Sequence, residues 1–297
     1  MFTRYPEQRR ISIFAVLAVV VALLVTACGG STSTPVATPT SNPPATTPTS
    51  SASTATATLK HVPNGTADLS WDASSHMLTV KIALLGLAPS STHPSHIHTG
   101  SCSNQGNVIY PLQNIVADAH GVATATTMVS VPKGIPATGW YVNVHNGPGL
   151  SPNDQFLPIV CGDVSNSNTS TTAAQSVHVA LTSAPAASAG ETVSGMAQLS
   201  LSGTTLTVKL TLSGLEPNSA HAAHIHTGSC ESQGAVVYPL MPVMADASGN
   251  ATVMTTINNV SSIPGSGWYV NVHHSTALST QTGFDPIACG NVRRLAV

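Results

Sequence analysis

Charge is scarce in this chain. Only 7% of its 297 residues are Asp, Glu, Lys or Arg and the formal net charge is −2, so no basic surface invites nucleic acid. Aromatic residues are rarer still at 4%, which leaves a core to be built from aliphatic and small side chains. Helical periodicity is missing beyond the first segment, and Gly, Pro, Ser, Thr and Ala recur in its place, a mix that suits short strands and turns. No nucleophile triad, phosphate-binding loop or pair of carboxylates stands out.

Long apolar runs are missing too, with one exception. Arg4, Arg9 and Arg10 precede Ile11 to Val25, which leads into Val25-Thr26-Ala27-Cys28-Gly29. A basic start, an apolar middle and small residues before a cut describe an export signal, and at about 17 residues from Ile11 to Ala27 the run is at the short limit for a spanning helix. The cysteine after Val-Thr-Ala resembles a bacterial lipobox. Residues 1–27 are therefore expected to be a lipoprotein signal peptide, and Cys28 the lipidated first residue of an extracytoplasmic protein anchored to the bacterial cell membrane. An uncleaved anchor is the alternative. Residues 28–57, rich in Ser, Thr, Pro and Ala, cannot bury enough surface to offset ordering and read as a disordered tether.

What the chain does have is a repeat. His93-Pro94-Ser95-His96-Ile97-His98-Thr99-Gly100-Ser101-Cys102 returns as His221-Ala222-Ala223-His224-Ile225-His226-Thr227-Gly228-Ser229-Cys230. Each copy is followed by Gly-Trp-Tyr-Val-Asn-Val-His, ending at His145 and His273. One constant register joins the copies from the first histidine to the last cysteine, which gives two domains, 58–165 and 177–297, with a linker at 166–176. Strand signals in the first copy fall at 66–71, 77–84, 96–98, 108–112, 121–129, 140–145 and 159–164. Seven short strands in about 110 residues indicate an all-β sandwich or Greek-key barrel.

Side chains alternate across a strand, so His96 and His98 share a face while Ile97 points the other way. Paired imidazoles are natural metal ligands. Cys28 aside, each repeat keeps two cysteines. In an exported protein these are expected to form disulfides, Cys102 with Cys161 and Cys230 with Cys289, with thiolate ligation of a metal as the alternative. Asp118 and Asp246 read as turn formers. His61, His76, His120, His178 and His274 read as surface or loop residues, Met241, Met244 and Met254 as core or loop packing, and Trp140 and Trp268 as packing over the barrel mouth.

The His-x-x-His-x-His strand, the Ser-Cys after it, the strand ending Val-Asn-Val-His and the terminal Cys-Gly-x-Val resemble the copper/zinc superoxide dismutase family. The His-Ile-His-x-Gly and Tyr-Val-Asn-Val-His segments also resemble the chordin-type CHRD domain. The first resemblance implies a Greek-key barrel, and three copper ligands per domain: His96, His98 and His145, then His224, His226 and His273. His93 and His221 match a histidine that stands behind the ligands. Copper, up to one per domain, and superoxide or another small oxidant are the implied cofactor and substrate. Departures are equally plain. Neither domain has the bridging histidine or the zinc loop, so zinc is not expected at the family's position, and Pro158 and Pro286 stand where the family carries its anion-steering arginine. A non-catalytic tandem β-module for copper storage or surface interaction is the competing expectation.

Overall fold

A computed structural model describes residues 52–60, 62–151, 153–182 and 192–296. The signal peptide, Cys28, most of the tether and His61 lie outside the described residues. Repeat 1 supplies β1 (Ser53–Leu59), β2 (Asn64–Asp72), β3 (Met77–Leu85), β4 (Thr92–His93), β5 (Ser95–Ser101), β6 (Asn104–Pro111), β7 (Ile115–Val116), β8 (Ala123–Ser130), β9 (Trp140–His145), the one-turn helix α1 (Asn153–Phe156) and β10 (Pro158–Val164). Repeat 2 supplies β11 (Gln175–Leu181), β12 (Ser194–Ser202), β13 (Thr205–Ser213), β14 (Ala220–His221), β15 (Ala223–Gly228), β16 (Gln233–Pro239), β17 (Val243–Met244), β18 (Ala251–Ile257), β19 (Trp268–His273), α2 (Gln281–Phe284), β20 (Pro286–Asn291) and β21 (Arg293–Arg294). Among the described residues no helix is long and apolar enough to cross a membrane.

Strand formation follows period-two burial. On β3, Leu78, Val80, Ile82 and Leu84 are buried while Lys81 faces water, and on β2 Ala67, Leu69 and Trp71 point inward between Asp68, Ser70 and Asp72. Each lobe pairs two antiparallel sheets over one aliphatic core. Lobe 1 has the orders β11-β2-β3-β8 and β10-β9-β5-β6; lobe 2 has β18-β13-β12-β1-β21 and β16-β15-β19-β20. The pairs β3–β8 and β5–β9 join strands distant in sequence, the Greek-key connectivity that was expected. The sheets form sandwiches and do not close into barrels.

Two pairings depart from the sequence reading. β1 lies next to β12 of repeat 2, from Ser53↔Leu201 to Leu59↔Gly195. β11 lies next to β2 of repeat 1, from Gln175↔Trp71 to Leu181↔Gly65. The repeats thus exchange their first strands, each completing a sheet in the other lobe. β1 begins within the stretch read as tether: its inward residues are only Ala55, Ala57 and Leu59, alternating with Thr54, Thr56 and Thr58. That alternation is hidden in a composition that otherwise signals disorder.

The lobes also meet through polar contacts. Gln233 donates its side-chain amide to Leu87 O at 2.8 Å and its backbone N–H to His120 O at 2.9 Å, and His120 Nδ1 returns a bond to Gln233 O. Gln281 bonds Thr92 N and Thr92 O, both at 2.9 Å, and Asn146 O at 3.2 Å. Gln105, the counterpart of Gln233, is exposed, so the interface is not self-symmetric.

Of the histidines read as unpartnered surface residues, two therefore hold structure. His120 bridges the lobes, and His178 on β11 meets Asp68 on β2 at 2.6 Å, clasping the exchanged strand. Met241, Met244 and Met254, read as packing residues, are 55–62% exposed. Asp118 and Asp246 do form turns, each accepting two backbone N–H groups.

Candidate metal centres

The central strand of one sheet carries the paired histidines in each lobe. On β5, Ile97 is fully buried in the core, while His96 and His98 face away from it. β9 runs alongside with Asn143 opposite His96 and Tyr141 opposite His98, and ends at His145 on the same face. Three imidazoles converge as a result. One ring nitrogen each of His96, His98 and His145 falls within 4.8 Å of the others, and the same holds for His224, His226 and His273.

Backbone carbonyls decide which nitrogens are free. His98 Nδ1 donates to Gly106 O at 3.0 Å and His145 Nδ1 to Phe156 O at 2.5 Å, so both hold their proton on Nδ1 and leave an Nε2 lone pair. His226 and His273 do the same with Gly234 O and Phe284 O. The nitrogens left over are His98 Nε2, His224 Nδ1, His226 Nε2 and His273 Nε2, all buried with no hydrogen-bond partner. His96 Nδ1 approaches His145 Nε2 at 3.1 Å. Buried lone pairs aimed at one another and left unsatisfied cost energy unless something binds them, and a cation does. The donor set fits a metal that accepts imidazole, with copper and zinc both of that kind.

A family model described as the CHRD domain matches residues 32–148 and again 168–278. The chain belongs to the CHRD-domain family. No curated protein was found to match it. Both matched segments begin ahead of the exchanged strands, so β1 belongs to the first CHRD repeat and β11 to the second, although each folds into the other lobe. The two disulfides, Cys102–Cys161 and Cys230–Cys289, mark the CHRD protein as one of an oxidising, extracytoplasmic compartment.

His93 and His221 sit behind the CHRD triads. His93 is fully buried; its Nδ1 donates to His145 O at 2.9 Å and its Nε2 accepts from Ser91 Oγ at 2.8 Å. His221 makes the same contacts, Nδ1 with His273 O at 3.0 Å and Nε2 with Ser219 Oγ at 2.6 Å, a hydroxyl that also meets Glu216 O. Each thus holds the backbone of the third histidine and offers no free lone pair. Tyr141 and Tyr269 were not singled out from the sequence. They stack on His98 and His226, with centroids 4.9 Å apart in both lobes. The same alternation that places Asn143 beside His145 would have shown them. Trp140, expected over a barrel mouth, packs edge-on against Tyr110 at 5.4 Å.

Burial sets the protonation state. It pushes His93 down to about 4, and it does the same to His96, helped by the neighbouring His145 and His98. His273 also falls to about 4 through burial, and burial lowers His145, His224 and His226. All are neutral at pH 7, the form that binds metals. His93, His96 and His273 protonate near 6.5 in the unfolded chain and near 4 in the native one, so the folded state holds fewer protons between those values. Stability from these groups is complete above about pH 6.5 and is lost as the pH falls toward 4. Urea unfolding of metal-free protein should show His93 and His273 each costing about 2 kcal/mol at pH 5 relative to pH 7.5. A flat profile over that range would contradict the buried neutral imidazoles.

Proposed function

We propose that this is an exported CHRD protein, tethered to the cell membrane through lipidated Cys28, that holds one copper ion per lobe. His96, His98 and His145 bind the first ion; His224, His226 and His273 bind the second. The observation that carries this reading is the set of three converging imidazole nitrogens in each lobe, with the opposite nitrogens of two rings already tied to backbone carbonyls. Such second bonds orient a ligand and raise its basicity. Copper bound there supplies one-electron chemistry, and the residue order supports alternate oxidation and reduction of superoxide, two superoxide ions and two protons giving oxygen and hydrogen peroxide.

A second reading is copper storage without turnover. Pro158 and Pro286, at the positions expected to steer an anion, favour it. The experiment is a copper titration of the exported chain with both disulfides formed, followed by a dismutase assay. Two coppers per chain, and none after His96, His98, His224 and His226 are changed to Ala, is the expected result. The assay on loaded protein then separates enzyme from store. Absence of stoichiometric copper would overturn both readings.

A further inference from the structure

Beside each triad stands a buried side-chain amide whose oxygen has no partner. Asn143 is 2% exposed and Asn271 1% exposed. Asn143 Oδ1 has no hydrogen-bond partner, and in lobe 2 both Asn271 Oδ1 and Nδ2 have none. A buried primary amide left without partners costs free energy that an apolar side chain of the same shape would avoid. Register places both amides directly opposite a histidine of the triad, Asn143 against His96 and Asn271 against His224. Asn143 Nδ2 lies 3.4 Å from His145 Nε2, the nitrogen that His96 Nδ1 also approaches.

That separation is informative. Ligand atoms bound about 2.0–2.1 Å from a tetrahedral metal stand roughly 3.3–3.4 Å apart. A half-turn of the carboxamide exchanges its oxygen and nitrogen with almost no change in the space filled. The terminus facing Nε2 can thus donate an N–H to the free lone pair, or present oxygen to an ion that the lone pair binds.

We propose that the amide oxygens of Asn143 and Asn271 are the fourth protein ligands, giving each lobe a site of three nitrogens and one oxygen. This rests on the metal-binding reading above. An amide oxygen is a hard donor, so it strengthens binding of Cu(II) and Zn(II) and does little for Cu(I). The site is thereby biased toward oxidised copper.

The test uses the full exported chain and three forms of it: unchanged, with Asn143→Leu and Asn271→Leu, and with Asn143→Asp and Asn271→Asp. Zn(II) and Cu(II) affinities are measured by chelator competition, Cu(I) affinity anaerobically, and the copper environment by electron paramagnetic resonance. In the Leu form Cu(II) and Zn(II) affinity should fall at least tenfold with Cu(I) affinity nearly unchanged. That raises the copper potential by about 59 mV for each tenfold. The Asp form, which keeps the oxygen and adds charge, should bind both divalent ions at least as tightly as the unchanged chain, so a Leu form that fails to fold does not end the test. Unchanged divalent affinities and spectra in the Leu form, or loss of binding in the Asp form, would overturn the proposal while leaving the three-histidine site in place. An unchanged chain that binds no metal would overturn both.

Discussion

A chain cut just ahead of Asn64 is expected to lose stability in its second lobe while the first stays folded. The removed segment precedes every other strand in sequence, yet it lies between β12 and β21 in lobe 2. Its loss takes Ala55, Ala57 and Leu59 from that core and leaves the N–H and C=O row of β12 unpaired. Burial of one leucine and two alanine methyl groups contributes roughly 4 kcal/mol, before the broken ladder is counted. For a domain of this size that corresponds to a fall of ~15 °C in lobe 2. Lobe 1 keeps β11 and should melt near its original temperature. Calorimetry with limited proteolysis, its fragments mapped by mass, separates the outcomes. First cleavage beyond residue 192 agrees with exchanged strands; first cleavage in 64–165 would mean that β1 pairs with β2 in solution.

The disulfides carry the second large effect. Each joins the segment after the paired histidines to the strand that follows the one-turn helix, β10 or β20, across a separation of 59 residues. Chain entropy for a loop of that length gives about 4 kcal/mol per bond. Cys102→Ser with Cys161→Ser should therefore lower the unfolding free energy of lobe 1 by about that much, and Cys230→Ser with Cys289→Ser that of lobe 2, in urea titrations at pH 7.5. The site should also respond. Tyr141 packs against Cys102 and Cys161 on one side and stacks on His98 on the other. Freeing the disulfide loosens the ring that supports a ligand, so metal affinity in that lobe should weaken while the other keeps its own. An unfolding curve unchanged by either pair of substitutions would show that the strand ladder alone holds the termini of the sandwich.

Much of the site was legible because its geometry is local. Alternation on a single strand puts His96 and His98 together and sends Ile97 into the core, and it puts Tyr141, Asn143 and His145 on one face. Which ring nitrogen each histidine offers was not legible. That depends on Gly106 O and Phe156 O, acceptors supplied by the backbone of other elements, and a carbonyl leaves no mark in sequence. The strand positions were largely visible from Leu78, Val80, Ile82 and Leu84 and their like. Their partners were not, since Thr-Ala alternation in β1 fits β2 or β12 equally well and only the assembled lobes decide. His120 was opaque for the same reason: its partner, Gln233 O, lies 113 residues away.

The exchanged strand also decides how the molecule would carry a load. Any pull on the chain ahead of Ser53 enters through β1, and so arrives first in the sheet of lobe 2. Lys60, just past that strand, exchanges backbone bonds of 3.0 and 2.9 Å with Cys289, whose sulfur is bonded to Cys230. Tension is thereby handed first to the covalently braced side of lobe 2, and the polar contacts between the lobes lie beyond it on the way to lobe 1. For a pull from the N-terminal side, the lobe built mostly from the second repeat is thus loaded ahead of the lobe built mostly from the first.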